Sequence, residues 1–163
     1  MPEHIPDEPR WLTPPQLKAW MRFVAVVERL PGVLDSQLQT DADLSHFEYY
    51  VLAMLSESPD RTLRMTGLAD ATSATLPRLS HVVARLEKRG YIARTPCPTD
   101  RRATNATLTA DGWDKVVATA PGHVENVREH VIDLLTAEQI GQLDAISDAL
   151  LRKLDPTNRL NSL

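Results

Sequence analysis

The residues from Leu76 to Leu108 restrict the fold most strongly, because an amphipathic, basic segment leads directly into two short strand-like segments. The apolar residues of the first part recur at the spacing of one helix face: Leu76, Leu79, Val82, Val83 and Leu86. Pro77 lies in the first turn, where no intrahelical hydrogen bond is lost, and Gly90 stands where helices commonly end. We therefore predict a helix from Leu76 to Arg89 that packs inward through these apolar residues.

Two short strands are predicted after this helix, at residues 91–94 and 104–108. The tip between them, residues 96–102, contains two prolines and an aspartate. Such residues favour an irregular, exposed loop. The pattern therefore predicts a β-hairpin that follows a helix.

Capping residues predict the remaining helices. Four of them precede segments with helical periodicity: Thr13, Ser45, Thr109 and Thr136. Pro31-Gly32 is expected to kink or break the first helix, and the helix after Thr109 is expected to cross Pro121-Gly122 and reach about Leu135. A short strand at 63–65 and a short helix lead through a turn at Thr72-Ser73 to the basic helix. The order predicts a mainly α fold, a winged helix-turn-helix with a small β-hairpin wing between outer helices.

The charge of the chain is unevenly distributed. Residues 61–102 contain nine Arg and Lys against three acids, a net of +6. The remainder contains nine bases against nineteen acids, a net of −10 within an overall charge of −4. A basic middle between acidic ends suits local binding to phosphate groups, and a solvated surface with uneven charge is the alternative interpretation.

The basic helix and the hairpin tip supply candidate DNA-binding residues. The helix would fit a major groove, and hydroxyls near its N-terminus can bind a phosphate. An arginine on the tip can enter a minor groove, with an aspartate beside it to hold its guanidinium. The candidates are Ser73, Thr75, Arg78, Ser80, His81, Arg85, Lys88, Asp100, Arg101 and Arg102. An ordinary amphipathic surface helix is the alternative for the helical part.

The run from Leu79 to Ile92 resembles the recognition helix of the multiple antibiotic resistance regulator (MarR) family. Asp100-x-Arg102, followed after five residues by Leu108-Thr109, resembles the wing signature of that family. Asp111-Gly112 then stands where the family usually has an acid–glycine pair that opens the next helix. The strict match covers residues 66–112, and the helix order of the whole chain also agrees.

This resemblance implies a winged-helix homodimer that represses or activates at palindromic operators, often with release by a small ligand. Arg102 would be the minor-groove residue and Asp100 its partner, while His81 replaces an arginine that is common after the serine. The first helix and the last two helices would form the dimer lobe. We accordingly expect dimerisation segments at residues 13–44 and 113–155, which flank a DNA-binding domain at 45–112.

Aromatic residues of the first two helices are candidates for an effector site. The resemblance implies aromatic ligands between the dimer lobe and the DNA lobe, and Trp20, Phe23 and Tyr49 are the candidate ligand-binding residues. Plain core or dimer packing is the alternative. The expected partners are double-stranded DNA, a second copy of the chain and a small-molecule effector.

Other functions have little support in the sequence. The chain has no glycine-rich phosphate loop or nucleophile motif, so an enzyme is not expected; a helical interaction module without DNA is a further alternative. Cys97 is the only cysteine and is expected to be an incidental exposed thiol rather than a redox sensor. His123 and His130 are seven residues apart, unlike the usual metal pair, so no metal and no cofactor are expected. With no long apolar run and no signal-peptide pattern, we expect no membrane partner and a cytoplasmic location.

Overall fold

The structure is a computed structural model that describes residues 9–155 of the chain. Within these residues the fold is mainly α, as predicted, with six helices and one three-stranded sheet. The elements, in chain order, are α1 (Pro14–Ala42), α2 (His46–Glu57), β1 (Thr62–Arg64), α3 (Met65–Ala71), α4 (Leu76–Lys88), β2 (Ile92–Cys97), β3 (Asp100–Leu108), α5 (Ala110–His130) and α6 (Ala137–Leu154).

Pro31-Gly32 was expected to kink or break the first helix, and the break is wrong, because α1 runs through Pro31 without interruption for 29 residues. An internal proline removes one backbone hydrogen bond, and the many other hydrogen bonds of a long helix outweigh that loss. A boundary between Val33 and Leu34 nevertheless divides the chain into two compact units. The expected segments at 13–44, 45–112 and 113–155 stay a prediction.

The described part of the first unit, residues 9–33, consists of a short lead and most of α1. Its large apolar side chains are largely exposed: Trp11, Leu12, Leu17, Trp20, Met21, Phe23, Val26 and Val27. The rings of Trp20 and Phe23 lie beside each other, with centroids 6.3 Å apart.

The core of the second unit lies among α2, α3, α4, the end of α1 and one face of the sheet. Helix α4 contributes four buried residues, as predicted: Leu79, Val82, Val83 and Leu86. Leu76 was expected to join them, but its side chain is exposed. The reason is its position as the first residue of α4, where it lines a surface groove instead of the core.

The sheet is antiparallel in the order β1-β3-β2, so β1 adds a third strand to the expected hairpin. Thr62 pairs with Thr107, and their hydroxyl oxygens are 2.8 Å apart. The tip expected at residues 96–102 is shorter than predicted, because β2 extends to Cys97 and β3 starts at Asp100; the pairing is irregular there and residues 98–102 are exposed, as expected. Pro96 is compatible with pairing since β2 is an edge strand, where a missing N–H is tolerated.

Cys97 was expected to be exposed, and this is also wrong. Its side chain is buried, with Sγ 3.4 Å from the Thr99 hydroxyl. The extension of the strands explains the difference, because Cys97 pairs with Asp100 at an irregularity of the hairpin and Pro98-Thr99 turns back beside the thiol.

The last two helices surround a short 3-10 turn at Ile132–Leu134, so α5 ends before the expected Leu135. Thr136 and Gln139 form the predicted capping box of α6. No side chain of α6 is buried, and its large apolar residues are exposed: Ile140, Leu143, Ile146, Leu150, Leu151 and Leu154. Between residues 9 and 155, no helix has the length and apolar character needed to cross a membrane.

Candidate nucleic-acid interface

Helices α3 and α4 form a helix-turn-helix whose turn is held by backbone and hydroxyl contacts. The Thr72 hydroxyl donates to the Leu68 carbonyl at 2.8 Å, and the N–H of Ala74 donates to the Ala69 carbonyl at 2.9 Å. Ser73 between them is exposed and has a φ of 52°, in the left-handed region. Thr75 then caps α4 by accepting from the N–H of Arg78. The turn thereby fixes the direction in which α4 leaves it.

The predicted residues of α4 do not all present free side chains. His81 and Lys88 are exposed, whereas Ser80 is half-buried in a groove beside the sheet. The Arg78 guanidinium lies 4.1 Å from the centre of the Phe47 ring, a cation–π contact with α2. Arg85 is engaged as well, because its Nη2 donates to Glu48 at 2.6 Å.

Glu48 is a buried carboxylate that connects two elements of this region. One oxygen accepts from the Ser45 backbone N–H at 2.8 Å and completes the cap of α2, while the other accepts from Arg85 of α4. Burial alone would raise the pKa of Glu48, but hydrogen bonds from the Ser45 N–H and from Arg85 outweigh it and hold the pKa below its ordinary value. Glu48 therefore connects the cap of α2 to the outward face of α4.

Asp100 organises the start of β3. Its Oδ1 accepts from the backbone N–H of Arg102 at 3.0 Å, and its Oδ2 lies 3.9 Å from the Arg64 guanidinium. Arg64 also donates to the Thr99 hydroxyl at 3.2 Å. Asp100 was expected to hold the Arg102 guanidinium, but in the structure it holds the backbone of Arg102 and the side chain of Arg64. Arg101 and Arg102 are both exposed.

A groove of about 210 Å³ separates α4 from the wing, and three arginines line it: Arg64, Arg94 and Arg102. Arg64 has Asp100 as its acidic neighbour, and Arg94 has Glu87. Within residues 9–155, the Arg102 guanidinium has no such ion pair. Among the described residues, Arg102 is therefore the arginine of this groove whose guanidinium forms no ion pair.

The sequence did not identify Glu87, Arg94 or Arg64 as members of this region. Glu87 in the last turn of α4 binds Arg94 of β2, which connects the helix to the wing. Arg89 similarly donates to Asp43, 46 residues earlier in the chain. The excess of basic charge was the only signal for the arginines, and nothing signalled their acidic partners, because these pairs depend on how separate elements pack.

The candidate effector residues lie in different units. Trp20 and Phe23 belong to the first unit, about half exposed, while Tyr49 is buried in the second. Tyr49 packs against His123, with ring centroids 4.7 Å apart. His130 is exposed and lies 3.0 Å from the Asn126 carbonyl through Nδ1. Across the described residues, no group of three or more His, Cys, Asp or Glu is placed to hold a metal ion.

The helix-turn-helix of α3 and α4, followed by an antiparallel wing that carries exposed arginines, defines a winged helix-turn-helix protein. A sequence model of the MarR family matches residues 42–103. The transcriptional regulator HosA of Escherichia coli O111:H- is 30% identical over 97 residues, which cover 60% of this chain and 70% of HosA. The chain belongs to the MarR family, and it is a DNA-binding transcriptional regulator rather than an enzyme.

Solved structures agree with this assignment. The structure of Sco3205, a MarR family regulator from Streptomyces coelicolor in complex with DNA, is 45% identical and has a TM-score of 0.88 over 93% of this chain and 95% of that chain. AbsC, a MarR family regulator from the same species, is 37% identical with a TM-score of 0.85 over 90% of this chain and 98% of that chain.

The buried position of Glu48 leads to a pH-dependent prediction. Replacing Glu48 with Gln should lower the free energy of unfolding at neutral pH by about 1 to 3 kcal/mol, because the charged hydrogen bonds are lost. The pKa of Glu48 is depressed in the folded state, so its contribution is present above the ordinary value of 4.5 and is lost as the pH falls through the folded pKa. Urea unfolding at neutral pH and at about pH 3 should therefore show a difference between parent and variant that shrinks in acid.

Glu57→Gln is the matched control, since Glu57 is an exposed glutamate of the same helix. It should change stability by no more than about 0.5 kcal/mol at either pH. An equal loss for Glu48→Gln at both pH values would contradict the role given to its charge.

Proposed function

We infer that the protein is a repressor that binds a pseudo-palindromic operator as a homodimer. The main support is the arrangement of α4 beside a wing on which Arg102 is exposed. Among the described residues, the guanidinium of Arg102 forms no ion pair. Two copies of α4 would enter successive major grooves about 34 Å apart, with the wings over the flanking minor grooves. Sco3205, which is 45% identical to this chain, was solved in complex with DNA, and this supports the DNA-binding part of the proposal.

The residues of α4 and its turn divide by the contact we assign to them. Ser73 and Thr75 lie before α4, where hydroxyls and the helix N-terminus suit a phosphate. His81 and Lys88 are both exposed on α4. We assign His81 to contacts with the edges of bases and Lys88 to contacts with the phosphate backbone of the DNA. Arg78 and Arg85 would first exchange their contacts with Phe47 and Glu48 for contacts with DNA; Ser80 is the remaining candidate of α4.

The proposed wing contact predicts that Arg102→Ala weakens binding to an operator selected in vitro from random duplexes. The variant loses one contact per protomer, each worth about 1 to 3 kcal/mol, and the dependence of affinity on salt should become shallower. Fluorescence anisotropy at several salt concentrations measures both quantities. Asp100→Ala should have a smaller effect, because Asp100 acts on Arg102 only through the backbone.

Arg10→Ala is the control for the loss of charge, since Arg10 is exposed and lies outside both the DNA-binding domain and the expected dimerisation segments. It should bind DNA like the parent. If Arg102→Ala also binds like the parent while the protein stays folded and dimeric, the wing assignment is wrong.

The homodimer is proposed on the exposed apolar residues of the outer helices. Helix α6 has no buried side chain, yet Leu143, Ile146, Leu150 and Leu154 recur along one of its faces. Exposed apolar surface of this extent is typical of an interface. A second copy is the occupant that we propose, since a two-fold dimer would match a palindromic operator.

Light scattering should therefore give the intact protein twice the 18.2 kDa mass of one chain. Ile146→Glu places a charge in the proposed interface and should raise the dissociation constant of the dimer at least about a hundredfold, the penalty of an unpaired buried charge. Ala145→Glu is the control, because Ala145 lies on the opposite side of α6 and is exposed. A monomeric parent at micromolar concentration would exclude this part of the proposal.

We further propose that a small aromatic or apolar effector releases the protein from its operator. The proposed location is the cytoplasm, where a regulator meets its operator. The half-exposed rings of Trp20 and Phe23 support the proposed effector, because aromatic side chains of this kind bind flat apolar ligands. Tyr49 is the third candidate. A ligand that binds the DNA-free form more tightly lowers operator affinity by its differential affinity for the two forms.

A panel of phenols and aromatic carboxylic acids should contain a compound that raises the melting temperature and weakens operator binding. Trp20→Ala should abolish both effects of that compound. Val26→Ala is a control, since Val26 is an exposed apolar residue of the same helix without an aromatic ring. Failure of the whole panel in both assays would count against an aromatic effector.

A further inference from the structure

We propose that Glu87 is a positioning residue that fixes the wing relative to α4 and so sets how strongly the protein discriminates between sequences that flank its operator. This inference rests on the proposed minor-groove contact of Arg102. Neither Glu87 nor Arg94, its partner, was singled out by the sequence pattern. The proposal gives a role to the one described ion pair that connects α4 with the wing.

Three hydrogen bonds join Glu87 and Arg94, and they use both carboxylate oxygens of Glu87. Glu87 Oε1 accepts from the backbone N–H of Arg94 at 3.0 Å, and Glu87 Oε2 accepts from Nε at 2.9 Å and from Nη2 at 2.6 Å. Both guanidinium donors converge on Oε2, while Oε1 is occupied by the backbone N–H, so the two carboxylate oxygens hold the side chain and the main chain of Arg94 separately. Because the backbone is also held, Glu87 binds the strand itself and not only a flexible side chain.

The position of this contact determines what it controls. Glu87 lies in the last turn of α4, and Arg94 lies in β2, paired with Ala106 of β3. Only a short turn with Gly90 at a φ of 81° connects the helix to the strand, and glycine adopts many other conformations at low cost. Thr109 holds the carbonyls of Gly90 and Tyr91 within this turn, and the contact between Glu87 and Arg94 adds a restraint further along the wing, on β2 itself.

The same contact shapes the groove that leads to Arg102. Arg94 lines this groove together with Arg102 from the wing and Leu76 and Ser80 from α4. The distance between α4 and the wing across the groove is thus set where Glu87 holds β2. Arg102 lies on β3, the strand that pairs with β2, so how far its side chain reaches towards a minor groove depends on the distance between α4 and the wing.

The charges of the groove residues also favour a contact between Arg102 and DNA. Hydrogen bonds from the side chain and backbone of Arg94 lower the pKa of Glu87, which keeps the carboxylate ionised at neutral pH. The ionised carboxylate balances Arg94 and leaves Arg102 as the groove arginine without an ion pair among residues 9–155. Arg102 is therefore the arginine of this groove that is available to DNA.

Three roles for Glu87 make different predictions for Glu87→Gln. A residue that only stabilises the fold would weaken binding to every duplex by the same factor when it is replaced. An acid that only repels DNA would, on removal, strengthen binding to every duplex by the same factor. A positioning residue changes the ratio of affinities between duplexes that differ at the flanks.

The experiment measures that ratio with the full-length chain. An operator is selected from random duplexes with the parent protein, and the base pairs beneath the wings are then made either A·T or G·C. A·T tracts narrow the minor groove and attract an inserted arginine, so the parent should bind the A·T-flanked duplex at least about fivefold more tightly. Glu87→Gln should reduce this ratio below about twofold, while its affinity for an unrelated duplex is unchanged or higher.

Two further variants separate the outcomes. Glu129→Gln, an exposed glutamate of α5, should keep the parent ratio, and Arg102→Ala should lose it. If Arg102→Ala loses the ratio but Glu87→Gln keeps it, the positioning role is overturned and the proposed function stands. If the parent shows no preference for the A·T-flanked duplex, or if Arg102→Ala keeps that preference, the flanks are not read through the wing. The minor-groove contact and the positioning role are then both overturned.

A further variant and a second measurement distinguish the positioning role from a folding defect. Arg94→Lys keeps the charge and the backbone N–H but removes the two guanidinium donors, so it should lower the ratio in part. Hydroxyl-radical footprints of the A·T-flanked duplex should lose protection at the flanks with Glu87→Gln and keep it over the central half-sites. Footprints identical to those of the parent would overturn the proposal.

Discussion

Three hydrogen bonds at Thr109 hold together the elements that carry the exposed basic residues. Its N–H donates to the Tyr91 carbonyl at 3.0 Å, its hydroxyl donates to the Gly90 carbonyl at 2.6 Å, and the same oxygen accepts from the N–H of Gly112 at 3.0 Å. The end of α4, the end of β3 and the start of α5 therefore meet at one side chain. Position 112 must be glycine, because a Cβ there would overlap the Tyr91 carbonyl oxygen.

Local patterns predicted most of the helices, because the forces that determine them act over a few residues. Ser45 caps α2 as predicted, and the predicted apolar stripe of α4 is buried from Leu79 to Leu86, although not at Leu76. Two of the failures concern proline, since a kink or break was expected at Pro31 and a loop rather than a strand at Pro96. Whether a proline is tolerated depends on the length of the helix around it or on the edge position of its strand, and neither can be read locally.

The site was predictable as a surface but not as a set of contacts. The basic excess of residues 61–102 and the resemblance identified α4 and the wing, whereas two of the acids that bind arginines of this region lie far away in the sequence. Glu48 is 37 residues from Arg85, and Asp43 is 46 residues from Arg89. Periodicity cannot detect pairs at such separations, so the sequence could not tell an engaged arginine such as Arg85 from Arg102, which has no ion pair within residues 9–155.

The pairing of β1 with β3 has a consequence for how the protein folds. Thr62 and Thr107 are 45 residues apart, and the chain between them contains both helices of the helix-turn-helix and the other strand of the wing. Closing a loop of this length costs entropy that the strand contacts recover only once the enclosed helices have packed. Folding and local opening of α3, α4 and the wing should therefore be cooperative, and amide hydrogens in all of them should exchange together, as expected of a single foldon.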